Sequence, residues 1–69
     1  MNYKVIFSQN NILICKPTDV PLPKNHTGNV HYQYDEERKQ LIYAIIKAES
    51  FEEANEEAKK LIQRFINSN

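Results

Sequence analysis

Residues 41–54 read LIYAIIKAESFEEA and join a strand-type segment directly to a helix-type segment. Residues 41–49 are rich in Ile and Tyr, which favour strands, and their apolar side chains alternate onto both faces. Ser50 and Glu53 form a capping box, the pattern with which many helices begin. A strand that is apolar on both faces is typical of a buried position, so this junction predicts a sheet with cover on both sides.

The chain after Ser50 predicts an amphipathic helix. Acidic residues fill its first half and basic residues its second half, an order that complements the helix macrodipole. We expect Glu56 to pair with Lys60 and the helix to end at residues 67–69. The apolar residues recur at helical spacing as one stripe, which consists of Phe51, Ala54, Ala58, Leu61, Ile62, Phe65 and Ile66.

Two hairpins are predicted before the helix. Residues 3–8 and 12–16 alternate like strands around Asn10-Asn11, and Asn tolerates the positive φ of a tight turn. A two-residue loop at these asparagines would pair Phe7 with Ile14. The second hairpin joins residues 30–34 to residues 41–49, and centring its turn on Glu37-Arg38 puts six apolar or aromatic residues on one face. These pairs are Tyr34 with Leu41, Tyr32 with Tyr43, and Val30 with Ile45.

An irregular loop separates the two hairpins. Pro17, Pro21 and Pro23 disfavour regular structure at about residues 17–29, and Gly28 allows a sharp turn. The predicted fold is therefore α+β, in the order β-β-loop-β-β-α. It is a four-stranded, mainly antiparallel sheet with one C-terminal amphipathic helix packed on one face. Residues 1–69 are expected to form this single small domain.

The composition excludes several classes of function. The 69 residues carry nine basic and nine acidic side chains, and a net charge of zero argues against a nucleic-acid binder with a strongly basic surface. A single glycine excludes a glycine-rich phosphate loop. Cys15, His26 and His31 lack the number and spacing of ligands that a metal site needs, so we expect no metal, no cofactor and no enzymatic activity. No signal peptide and no membrane-spanning run is apparent, and we expect a cytoplasmic protein.

One helix covers only one face of a sheet, so the other face is predicted to be a binding surface. Ala44 and Ala48 would let a helix approach one face closely, whereas the tyrosine-bearing face offers more area, so the sequence leaves the covered face open. The candidate interface residues are chosen for a helix on the alanine side. The sequence then predicts a non-catalytic protein-interaction module that binds itself, as a homodimer, or another protein. The alternative is that the loop covers this face through Val20 and Leu22. The candidate interface residues are Tyr32, Tyr34, Tyr43 and Ile45.

Nucleic-acid association is the second function that the sequence suggests. Tyrosines on a sheet can stack bases, but the connector at residues 35–40 holds three acidic residues, which makes nucleic acid the less favoured partner. The strand followed by Ser50-Phe51-Glu52-Glu53-Ala54 resembles the strand-to-helix junction of the HicB-like antitoxins. Residues 3–16 would correspond to the first hairpin of that family, and the extra strand at residues 30–34 departs from its pattern. The resemblance implies a regulatory protein and carries over no functional residue.

Overall fold

The fold is a single antiparallel sheet with one helix packed on it, in a computed structural model that describes residues 1–66. The sheet order is β2-β1-β4-β3, and every neighbouring pair is antiparallel. This arrangement confirms the predicted α+β class and the order of its elements, whereas the predicted end of the helix at residues 67–69 lies outside the described residues. The elements are β1 (Asn2–Ser8), β2 (Asn11–Thr18), β3 (Val30–Asp35), β4 (Gln40–Lys47) and α1 (Phe51–Ile66).

The hydrophobic core lies between α1 and one face of the sheet. Ala54 and Ala58 are fully buried, so the helix backbone lies close to the strands. Ala44 and Ala48 face the helix, so of the two faces that the sequence left open the helix covers the alanine side. The helix packs over β1, β2 and β4. The buried residues of this core are Tyr3, Val5, Phe7, Leu41, Ala44, Ile46, Ala48, Ala54, Ala58 and Leu61.

The helix begins as predicted, and its apolar stripe is shorter than predicted. The backbone N–H of Glu53 donates to Ser50 Oγ at 3.1 Å, which satisfies a free donor in the first turn. Phe51 and Ile66, at the two ends of the stripe, are 50% and 48% exposed because they extend past the contact with the sheet. Lys60 pairs with Glu57 at 3.5 Å, rather than with Glu56 as expected.

The first hairpin forms with a different register from the predicted one. Its turn is Gln9-Asn10, and both residues have positive φ, 52° and 61°, as a type I′ turn requires. A β-bulge follows, so that Phe7 pairs with Ile12 while Ile6 pairs with Ile14. The prediction that Phe7 pairs with Ile14 is therefore wrong, because the turn begins one residue earlier and one residue of β2 is left unpaired.

The strand β2 also runs further than expected. It continues through Pro17 to Thr18, and Pro17 pairs with Tyr3, so the irregular loop begins at residue 19 rather than at residue 17. Proline is tolerated here because β2 is an edge strand, where the missing N–H faces away from the sheet.

A second β-bulge separates the residues predicted to share one face. Tyr34 pairs with Leu41 as predicted, but Gln33 pairs with Tyr43, which leaves Ile42 without a partner. Beyond the bulge, Tyr32 pairs with Ala44 instead of Tyr43. Because side chains alternate along a strand, a shift of one residue moves every following side chain of β4 to the opposite face relative to β3. Val30 therefore pairs with Ile46 instead of Ile45.

Candidate functional site

The face of the sheet that points away from α1, which we call the open face, carries two adjacent rows of side chains. Residues paired across antiparallel strands share a face, so the register defines these rows. The apolar row consists of Ile14, Ile6 and Tyr43. The second row consists of Lys16, Lys4, Ile45 and His31, and we call it the charged row for its two lysines; Lys47 lies two residues further along β4.

The four predicted interface residues divide between the two faces. Tyr43 and Ile45 lie on the open face, as predicted. Tyr34 lies on the helix face, where its ring stacks on Phe65 with 4.3 Å between centroids. Tyr32 contacts the same ring edge-to-face at 5.3 Å. The placement of Tyr32 and Tyr34 on the uncovered face is therefore wrong, and the bulge at Ile42 is the reason.

Three lysines give the open face its positive charge. Lys4 and Lys16 are direct cross-strand partners, and Lys47 pairs with Asn2 on the same face. Among residues 1–66, none of these lysines forms an ion pair. Like charges directly opposite each other destabilise a sheet, so the opposition of Lys4 and Lys16 does not itself stabilise the fold.

The acidic residues of the β3–β4 turn and of α1 lie away from these lysines. Asp35 is four residues after His31 on β3, so its side chain lies on the same face as that of His31. It pairs with Gln40, which is five residues before Ile45 on β4. Its carboxylate accepts hydrogen bonds from the backbone N–H groups of Glu37 and Arg38 within the β3–β4 turn. Four glutamates stand in the first half of α1, on the other side of the sheet. These carboxylates are therefore separated from the three lysines of the open face. These helical glutamates are Glu52, Glu53, Glu56 and Glu57.

Ring contacts extend across the open face from Lys4 on β1 to His26 in the loop. Lys4 Nζ lies 5.7 Å from the centroid of the Tyr43 ring, a cation–π contact. The Tyr43 ring meets His31 edge-on at 6.4 Å, and His31 meets His26 at 5.4 Å. His26 Nε2 donates to the carbonyl oxygen of Val30 at 2.6 Å, which holds the loop against β3. Lys4, Tyr43, His31 and His26 therefore contact one another in series, and Tyr43 contacts both Lys4 and His31.

The loop covers part of the open face. Ile45 is only 2% exposed although it points away from α1, and its cross-strand partner His31 contacts His26 of the loop. Val20, one of the two expected anchors, is 46% exposed, and its carbonyl oxygen accepts a hydrogen bond from the Asn2 side chain. Leu22, the other expected anchor, is half-buried. The face is therefore closed near Ile45 and accessible along β1 and β2.

A groove of about 480 Å³ lies on the helix side, between β3 and α1. Val30, Tyr32 and Leu61 line it together with Arg64 and the Glu57–Lys60 ion pair. Because cations and a carboxylate share this groove, it lacks the single sign of charge that distinguishes the open face.

The remaining candidates from the sequence do not converge on a reactive site. Within residues 1–66, no group of three or more His, Cys, Asp or Glu side chains could hold a metal ion. Cys15 faces the helix side, and burial raises the pKa of its thiol, which favours the unreactive protonated form. The two histidines do meet, although 26 and 31 are not at a recognisable spacing, because the loop returns to β3.

Sequence reasoning missed the lysines of the open face. The alternation of Lys4 with Val5 and of Lys16 with Cys15 was a usable signal, since it places both lysines away from the core. Whether the two lysines lie opposite each other depends on the register of β1 and β2, and the predicted turn at Asn10-Asn11 gave a register that differs from the observed one.

No protein-family model, curated protein or solved structure matches the chain. In the part of the chain that the structure describes, no helix has the length and apolar character that crossing a bilayer requires. The chemistry of the open face is therefore the basis for a functional assignment.

Proposed function

We propose that the protein is a non-catalytic binding module that holds an anionic macromolecule on its open face. The observation that carries this proposal is the cluster of Lys4, Lys16 and Lys47 on one face, without ion-pair partners among residues 1–66. Clustered charge of one sign attracts a partner of the opposite sign and speeds its association. The accessible apolar row beside the lysines adds contact area that simple ion pairing would not need.

The charge of this face favours a different partner over a second copy of the chain. In a symmetric dimer the same patch meets itself, so the lysines of both copies would be brought to one interface. Asp35, the carboxylate with the same alternation, is engaged in the β3–β4 turn. Self-association through the open face, which the sequence suggested, would therefore carry a repulsive cost. The free thiol of Cys15 fits a reducing compartment and supports a cytoplasmic location.

Retention on immobilised heparin, a generic polyanion, tests the proposal. The test variant is Lys4→Gln with Lys16→Gln, and the control is Lys59→Gln with Lys60→Gln on the exposed side of α1. Both variants lose two positive charges, and the control additionally loses the contact of Lys60 with Glu57. We expect the wild type and the control to elute at similar salt and the open-face variant to elute much earlier. Equal losses in both variants, or no retention of the wild type, would refute an anion-binding open face.

A further inference from the structure

We infer that the anionic partner is single-stranded nucleic acid, which lies across the open face with phosphates at the lysines and a base against Tyr43. This inference rests on the proposed function and names the class of its ligand. It follows from the way in which the apolar row and the charged row are arranged.

The two rows offer the two kinds of contact that a nucleotide makes, which are an ionic contact to its phosphate and a stacking contact to its base. The apolar row contains Ile6 and Tyr43, and the charged row contains Lys4 and Lys16. Adjacent residues on one face of a strand are two positions apart, which is roughly 6.6 Å. The accessible part of the rows crosses β2, β1 and, at Tyr43, β4, which is two strand spacings, roughly 10 Å. A strand of nucleic acid lying along the rows therefore presents its phosphates to one row and its bases to the other.

Tyr43 occupies the position that a stacking platform requires. It lies on β4, one of the two interior strands, and it is half-buried. Lys4 Nζ lies over its ring and His31 meets the ring edge-on, so a base that stacks there takes the place of the Lys4 ammonium group. Bases stack on such aromatic side chains without regard to sequence, since every base has a flat ring. The Lys4 ammonium group, 5.7 Å from this ring, is within reach of the phosphate of a stacked nucleotide.

Double-stranded DNA suits this protein less well. A protein reads the major groove by inserting a helix or a two-stranded ribbon. The helix α1 carries four glutamates in its first half, which a phosphate backbone would repel. The lysines instead lie on a sheet face that is four strands wide, and such a face accepts an unpaired strand whose bases are turned toward it.

An acidic peptide is the strongest competing occupant. It could pair with Lys4, Lys16 and Lys47, but it carries no flat ring at each residue to meet Tyr43. Each nucleotide carries one phosphate and one base, which match the row of lysines and the neighbouring row that contains Tyr43. The ring of Tyr43 therefore separates the two ligands experimentally.

Fluorescence anisotropy with a labelled oligouridylate of about 12 nucleotides tests the inference, a length within the usual range of single-strand sites. For wild type we expect the logarithm of the binding constant to fall with the logarithm of salt concentration with a slope of about −2. Each of three neutralised phosphates contributes roughly −0.7 to this slope. Lys4→Gln with Lys16→Gln should reduce the slope to less than half of its wild-type value.

Tyr43→Leu provides the specific readout, with Tyr32→Leu as its control on the helix face. We expect Tyr43→Leu to weaken binding roughly tenfold, the scale of one base–aromatic stack, and to leave the salt slope unchanged. Tyr32→Leu should bind like the wild type once both variants have been shown to be folded by their thermal melting.

Three results would overturn the inference. Tighter binding of polyglutamate than of oligouridylate would identify an acidic protein as the partner, and equal binding of a duplex would remove the preference for single strands. An unchanged affinity of Tyr43→Leu would remove the stacked base. If heparin retention still depends on Lys4 and Lys16 in any of these cases, the proposed function stands and only the ligand class is wrong. Loss of that dependence would refute both.

Discussion

Lys4 and Lys16 are direct cross-strand partners on the open face of the sheet, and neither forms an ion pair among residues 1–66. Two like charges in this arrangement lower the stability of a sheet. Residues that bind a partner often reduce stability, because the same groups are unsatisfied until the partner is present. A substitution that removes this repulsion should therefore raise the stability of the fold and weaken the binding of an anionic partner.

Lys16→Glu is expected to stabilise the fold and weaken binding. It replaces a repulsive pair with Lys4 by an attractive one, worth about 0.2–1 kcal/mol in the free energy of unfolding. Urea denaturation at low salt measures this gain, and high salt should reduce it by screening. Retention on heparin should fall in the same variant. Lys59→Glu, which makes the same change in net charge on α1, serves as the control. A lower unfolding midpoint for Lys16→Glu would contradict the prediction.

Asn10→Ala is expected to destabilise the protein by about 1–3 kcal/mol, because it removes the partner of the part-buried Leu41 N–H and places alanine at a positive φ. Asn10 Oδ1 accepts from the backbone N–H of Leu41 at 3.1 Å, and its Nδ2 donates to the carbonyl oxygen of Lys39 at 3.2 Å. These bonds join the turns of the two hairpins. Chemical denaturation should show this loss.

Asn10→Gly separates the contribution of the positive φ from that of the side-chain hydrogen bonds. Glycine keeps the positive φ of 61° at no steric cost and removes only the side-chain bonds. We expect it to remain less stable than the wild type. Asn11→Ala, which removes one exposed contact with Gln9 at 3.4 Å, should have little effect. Equal effects of the Asn10 and Asn11 substitutions would show that the link between the turns is unimportant.

Phe65→Ala tests the placement of Tyr32 and Tyr34 on the helix face. The Phe65 ring stacks on Tyr34 at an interplanar angle of 12° and contacts Tyr32 edge-to-face. Loss of these contacts and of the buried area should cost about 1–3 kcal/mol. Near-ultraviolet circular dichroism should also change, because the tyrosines lose an aromatic neighbour. Phe51→Ala, at the exposed start of α1, should cost clearly less, and the reverse order would contradict the described packing.

Cys15 is expected to make stability fall at alkaline pH. Burial raises the pKa of its thiol above the ordinary value of 9.0, so the folded state holds the proton more tightly than the unfolded state. The resulting stability is fully present below the unfolded pKa and is lost as pH rises through the folded pKa. Urea unfolding of the wild type and of Cys15→Ala across this range measures the difference. Parallel curves for the two proteins would show that the thiol does not contribute.

The sequence predicted the elements that depend on local interactions. Ser50 and Glu53 mark the start of α1, and the alternation of β1 and β4 predicts two strands of one sheet, because capping and side-chain periodicity involve only near neighbours. Tyr43 and Ile45 were also placed on the face away from α1, although Ile45 is buried there.

The two bulges could not be predicted in the same way. Each leaves one residue, Leu13 in β2 or Ile42 in β4, without a cross-strand partner. Nothing in the local pattern distinguishes these residues from their paired neighbours, since both are aliphatic and strand-forming. With the bulge at Ile42, Leu41 lies on the helix face beside its partner Tyr34 and is 2% exposed.

By itself, the sequence determined an α+β chain with two hairpins, a proline-containing loop and a capped amphipathic helix, because these features follow from local propensity and spacing. Only the tertiary structure decided which residues share the open face. One extra residue in a strand reverses the facing of every side chain beyond it, so the register separated Tyr32 and Tyr34 from Tyr43. It also brought Lys4 opposite Lys16, where a chain with no net charge presents a cationic surface.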